Sequence, residues 1–178
     1  MLYLLDANVL ITANNYYYPI DRVPEFWSWL KHMGVIGRIK IPLEIFEEIK
    51  DGPIDGEKDL LFAWLKQGAN STSLILKEDV DITHLQDVTS IGYGENLTDS
   101  ELEEIGRDPF LIAYARTDNR RVVVTGEASK PSRKRQNRHI PDVCKSLGIC
   151  CCDPFSMTRV LGFRTNWQHL AQVKATAA

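Results

Sequence analysis

The chain alternates between short, wholly apolar runs and longer stretches in which apolar positions return every three or four residues. The first pattern fits strands buried on both faces, the second amphipathic helices. Leu2–Leu5 reads as a first strand closed by Asp6, and residues 7–13 as a helix with Asp6 or Asn8 near its start. A turn-rich stretch with Asn14, Asn15, three tyrosines and Pro19 follows. Phe26, Trp27, Trp29, Leu30 and Met33 then recur at helical spacing, with Gly34 as the stop. Residues 38–42 (RIKIP) predict a second strand. Residues 43–49 predict a helix that turns Leu43, Ile45, Phe46 and Ile49 inward, broken by Gly52, Pro53 and Gly56.

Residues 57–67 carry Leu60, Leu61, Trp64 and Leu65 on a further helix, and SLILK (73–77) reads as a strand before helical segments at 81–93 and 99–106. Asp108-Pro109 opens a mostly buried helix, with aspartate at the cap and proline at the first position. Residues 121–125 (RVVVT) form the clearest strand, followed by a polar loop at 126–139, a helix from Pro141 to Leu147 and a last strand at 149–152. Asp153-Pro154 caps a terminal helix. Strands alternating with helices predict an α/β fold: a three-layer sandwich around a central parallel sheet of four or five strands. One domain over residues 1–165 is expected, with residues 166–178 as a frayed tail.

Composition narrows the class. With 44% hydrophobic and 25% charged residues, the chain is neither collagen-like, coiled-coil nor low-complexity. No apolar run nears the roughly 20 residues of a membrane span. The start of the chain also lacks a basic leader and a small-residue cleavage site, so a soluble cytoplasmic protein without membrane partners is expected. Cys144, Cys150, Cys151 and Cys152 offer no CxxC spacing for zinc, even with His139 nearby. Their apolar neighbours make them small core residues of a reducing compartment.

Charge is unevenly spread. Residues 1–110 hold 9 Lys and Arg against 20 Asp and Glu, whereas residues 111–178 hold 12 against 4. Lys130, Arg133, Lys134, Arg135 and Arg138 crowd into the loop after RVVVT. This asymmetry suits either a solvated acidic face and a mobile basic loop, or gathered carboxylates beside a phosphate-binding surface.

In a parallel sheet, ligands bind beyond the carboxyl ends of the strands. Asp6 follows the first strand, Glu44 the second within one helical turn, and Glu127 the RVVVT strand; Asp108 opens the helix before RVVVT, and Asp142 lies just inside the helix after the loop. Singly, these residues read equally well as helix caps, solvated helix positions and loop charges. Together, carboxylates on one sheet edge would repel and protonate unless cations lay between them, and magnesium or manganese fits an all-oxygen set.

LLDANVLI (4–11), PLEIFEEI (42–49), RDPFLIAYA (107–115) and VVVTGE (122–127) resemble the four motifs of a PIN domain, in that family's order. FWSWL (26–30), AWLKQ (63–67) and IPDVCKSLGI (140–149) resemble the DUF4411 subgroup, the likeness spanning about residues 2–163. The resemblance implies a ribonuclease that uses Mg2+ or Mn2+, of the kind seen in VapC-type toxins of toxin–antitoxin pairs. Asp6, Glu44 and Asp108 occupy the acidic catalytic and metal positions. Glu127 stands where the family usually has aspartate, and Asn8 and Thr125 match supporting polar positions. Asp142 has no counterpart there and is an extra candidate ligand or supporting residue. Expected partners are an RNA substrate gripped by Lys130, Arg133, Lys134, Arg135 and Arg138, an antitoxin encoded nearby, and a second copy in a homodimer. Tyr16, Tyr17 and Tyr18 either stack on unpaired bases or pack under the first helix. The competing readings are a non-catalytic nucleic-acid-binding or interaction protein of the same fold, and a nucleotide-binding module. The latter lacks both a GxGxxG and a Walker A loop.

Overall fold

The wholly apolar runs pair with one another. In the computed structural model, which describes residues 1–51 and 56–169, β1 (Leu2–Leu5), β2 (Ile39–Lys40), β3 (Arg121–Val124) and β4 (Cys150–Cys152) form one sheet. All neighbours are parallel, in the order β2-β1-β3-β4, with Leu4 beside Lys40 on one side and Val123 on the other. Leu4, Leu5, Val123 and Val124 are completely buried, which is why these strands lack alternation. Helices flank the sheet, making a three-layer α/β sandwich. They are α1 (Ala7–Thr12), α2 (Pro24–Val35), α3 (Leu43–Asp51), α4 (Gly56–Lys66), α5 (Gly68–Leu74), α6 (Ile82–Asp87), α7 (Asp99–Ile105), α8 (Asp108–Arg116), α9 (Ile140–Leu147) and α10 (Pro154–Val160). None of the described helices is long and apolar enough to cross a membrane.

The strand order positions the site. From β1 the chain leaves toward β2, then returns past β1 to β3 and continues outward to β4. The carboxyl ends of β1 and β3 are therefore neighbours at the point where the winding reverses, the place where open α/β sheets form a crevice. Helix α8 runs back against β3, so its first residues also stand at that edge.

Several elements differ from the periodic reading. Helix α1 does not yield to a turn at Asn14 but widens into a π-helical stretch, Ala13–Tyr17, closed by the Tyr18 amide donating to the Ala13 carbonyl at 2.6 Å. Buried Asn14 accepts from the Ile20 amide, and Tyr18 thereby stacks on Phe26 at 4.3 Å. The strand expected at 73–77 is not formed: Ser73 and Leu74 close α5, where Asn70 and Ser73 hydrogen-bond locally and favour a helical turn, and only Ile75 bridges Ile41. Gly34 does not stop α2. It lies inside the last turn, where a Cβ would stand 2.8 Å from the Ser73 carbonyl oxygen, so glycine permits close packing of α2 on α5. Leu43 faces solvent. Among the cysteines only Cys144 is in the core; Cys150 is exposed at the sheet's outer strand.

The expected break at Gly52 and Pro53 lies outside the described residues, as does the tail from residue 170 onward. Just before it, the Trp167 indole donates to the Glu25 carbonyl at 3.0 Å and its ring lies against His32.

Candidate active site

Asp6 leaves the sheet at the carboxyl end of β1, with only 1% of its surface exposed. It occupies the N-cap position of α1, yet its side chain makes no capping hydrogen bond. Its Oδ2 instead accepts from the Thr125 hydroxyl at 2.8 Å, just past β3. That hydroxyl in turn accepts the Glu127 amide at 3.2 Å, so Thr125 ties the two strand ends together and orients Asp6. Burial pushes the Asp6 carboxyl above its ordinary range; the Thr125 hydrogen bond opposes this, and the nearby Glu127 charge adds to it.

Asp108 is the first residue of α8 rather than its cap, and Pro109 is the second; Arg107 precedes them. Its half-buried carboxylate accepts no hydrogen bond among the described residues. Burial, then Asp6, Glu127 and Glu48 in that order, push it up to about 8. An acid at a helix N-terminus is normally eased by the helix dipole. The rise in spite of that position reflects burial first and the neighbouring carboxylates after it.

Glu48 is the residue that sequence reasoning missed. Its half-buried carboxyl is raised by burial and then by Asp6, against the pull of Arg107. Its Oε2 is buried with no hydrogen-bond partner. Glu44, singled out from the sequence, is half-buried one turn earlier on α3 and meets the Tyr114 hydroxyl at 3.3 Å. It does not figure among the charges acting on Asp6 or Asp108. Both glutamates flank the stripe of Ile45 and Ile49, so helical phase alone supplied a signal for either one. Arg107 holds this corner together, donating to the Glu44 carbonyl at 2.9 Å and to Asp51 at 2.8 Å.

Glu127 reaches back to the next helix, where its Oε2 accepts the Ile140 amide at the start of α9 at 2.8 Å. The Tyr93 hydroxyl, also unforeseen, is buried without a partner in the field of Asp108 and Glu127. Asp142 does not join the cluster. Both its oxygens are spent on the loop, accepting from the Ser129 hydroxyl at 2.5 Å and the Lys130 amide at 2.7 Å. The Ser129 hydrogen bond holds its carboxyl below the usual range.

The basic loop divides in two. Arg135, at φ 52°, is pinned to Glu101 and to the carbonyls of Glu95 and Asn96, while Arg138 donates to the Gly92 and Asp142 carbonyls. Lys130, Arg133 and Lys134 are exposed and make no ion pair among the described residues. The tyrosine run divides likewise: Tyr18 packs inward, whereas Tyr16 and Tyr17 are exposed. Asn8 is also exposed and faces a cleft beside Glu127.

Asp6, Glu48 and Glu127 thus all act on Asp108, Asp6 acts on Glu48 and Glu127 on Asp6, whereas Glu44 and Asp142 are not among these charges. As placed, no group of three or more His, Cys, Asp or Glu among the described residues closes around a single point where a metal ion would sit. The donor chemistry nevertheless fits a hard cation. The donors are all oxygens, Glu48 Oε2 is buried without a partner as Glu44 Oε2 is, and like charges raise one another's proton affinity in a way a divalent ion relieves. No curated protein and no solved structure matches this chain at a significant level. A family model described as a domain of unknown function, DUF4411, matches residues 3–165, and the chain belongs to that family.

Proposed function

We propose that this protein is an endoribonuclease that hydrolyses RNA phosphodiester bonds with the help of Mg2+ or Mn2+, and that it serves as the toxin of a toxin–antitoxin pair. The observation that carries the reading is the crowding of Asp6, Glu48 and Asp108 at the winding reversal, with Asp108 pushed up to about 8. The PIN-like order of the strand-end motifs supports it as well. Asp6, Glu48 and Asp108 would hold the ion, with Glu127 at its edge. Such an ion, when bound, lowers the pKa of water and offsets the charge that grows on the phosphate and the leaving oxygen. Thr125 fixes the rotamer of Asp6, the Ile140 amide fixes Glu127, and Arg107 anchors the start of α8 to α3. Within the basic loop, Lys130, Arg133 and Lys134 are the cations left to meet a phosphate backbone. An antitoxin from a neighbouring gene and a second copy of the chain are the proposed protein partners.

Cleavage of a fluorescent single-stranded RNA in manganese, against chelator, tests the reading. Wild-type protein cuts only with the metal, and Asp6→Asn abolishes cutting while leaving the melting temperature unchanged or higher. Metal-independent cutting, or undiminished cutting by Asp6→Asn, overturns it. RNA binding without metal-dependent turnover favours the competing non-catalytic binding protein, for which the helix-capping use of Glu127 speaks.

A further inference from the structure

A cleft of about 350 Å³ opens beside the carboxylates, sharing Glu127 and Gly126 with the end of β3. Val9, Phe26 and Met157 form its apolar floor. Two rings stand at its wall, Tyr17 at 53% exposed and Phe155 at 45%, meeting edge to face with centroids 5.2 Å apart. A single exposed ring is ordinary, but two rings in contact on one cleft make a continuous apolar patch of the kind that marks a binding surface. Here two from distant parts of the chain meet at a cleft that adjoins the proposed reaction centre.

Its polar groups say what kind of guest fits. Asn8 and Thr12, four residues apart on α1, line one side with an amide and a hydroxyl that have no hydrogen-bond partner among the described residues. Both can donate and accept. The charged rim is Glu127 and Asp153, and Asp153 is already committed to Ser156 at 2.9 and 2.6 Å. A negative rim without a cation rejects a phosphate. An apolar floor, open rings and a neutral donor–acceptor edge accept a flat, uncharged heterocycle.

We propose that this cleft receives one unpaired base of a single-stranded RNA, stacked against Tyr17 and Phe155 with its edge toward Asn8 and Thr12, next to the phosphate at the carboxylates. This rests on the ribonuclease reading for the choice of RNA. Side-chain rings serve such binding without strict sequence preference, because every base has a π-face.

The test is binding, in chelator, of a single-stranded RNA oligomer carrying 2-aminopurine, whose fluorescence reports stacking, beside the same oligomer with an abasic site. Wild-type protein changes the fluorescence and binds the base-bearing strand roughly 5- to 100-fold more tightly than the abasic one. Tyr17→Ala/Phe155→Ala loses that preference. Tyr17→Leu/Phe155→Leu keeps apolar bulk without a π-face and loses it too, which covers the case in which the alanine pair fails to fold. Equal affinity of either folded variant and wild type, no discrimination against the abasic strand, or no binding by wild type overturns the proposal. Cleavage by the same protein preparations in manganese without chelator separates the two ideas. Cleavage without base discrimination removes the base pocket and leaves the nuclease; discrimination without cleavage does the reverse.

Discussion

Replacing Asp108 by asparagine removes one negative charge from a site that holds too many. The unfolded chain releases this proton near 3.8, the folded protein near 8. Between those values the folded state holds the proton more tightly, so the stability of the metal-free protein falls as pH rises from about 4 to about 8 and is level below that window. The two values set a ceiling of about 6 kcal/mol. Asp108 keeps some contact with solvent, which screens part of this, and a loss of about 1–3 kcal/mol is the working figure. An asparagine side chain cannot ionise, so Asp108→Asn escapes that loss. Melting in chelator at pH 5, 7 and 9 checks it. At pH 5 wild type and variant melt close together; at pH 9 the variant melts about 2–12 °C higher, given the roughly 2–4 °C per kcal/mol typical of this chain length. Parallel pH profiles, or a variant less stable at pH 9, would show that Asp108 is solvated and its neighbours are too far away to matter.

Glu48→Gln should cut manganese-dependent RNA cleavage by at least tenfold, whereas Glu44→Gln leaves most of it; the reverse order returns the site to the residue read from the sequence. Glu127→Gln keeps an acceptor for the Ile140 amide and should melt like wild type while needing more manganese for half-maximal cleavage. Glu127→Asp is too short for that amide and should melt lower, while retaining part of the activity. Alanine at Lys130, Arg133 and Lys134 together should flatten the salt dependence of RNA binding by roughly 2 units of log–log slope, if each meets a phosphate. Arg135→Ala should instead lower the melting temperature, since it unties α7 from the loop, and leave the salt slope alone.

What is legible in the sequence follows from the physics of each element. Strands β1 and β3 are buried on both faces, so LYLL and VVV can be nothing but apolar, and the first polar residue after each run has to mark the sheet edge. That is why Asp6 and Thr125 are legible, and with them the fold. Glu48 is not, because Glu44 and Glu48 border the same Ile45–Ile49 stripe, and only the approach of Asp6 from another element distinguishes them. Asp142 reads as a ligand because nothing local reveals that the Lys130 amide, twelve residues earlier, claims its oxygen. The tyrosine run hides its division for a related reason. The π-helical turn at Ala13–Tyr17 rotates Tyr18 inward and Tyr17 outward, and period counting assumes a regular helix.

The central claim is that Asp6, Glu48 and Asp108 together form a divalent-ion site. Calorimetric titration of manganese into the metal-free protein at pH 7, repeated in buffers of different ionisation enthalpy, tests it most directly. The account predicts saturable binding accompanied by release of about one proton, because Asp108 is largely protonated at that pH before the ion arrives. It also predicts that Asp108→Asn loses both the affinity and the proton. Undiminished manganese binding by Asp108→Asn, or no binding by the wild-type protein at millimolar metal, would contradict it.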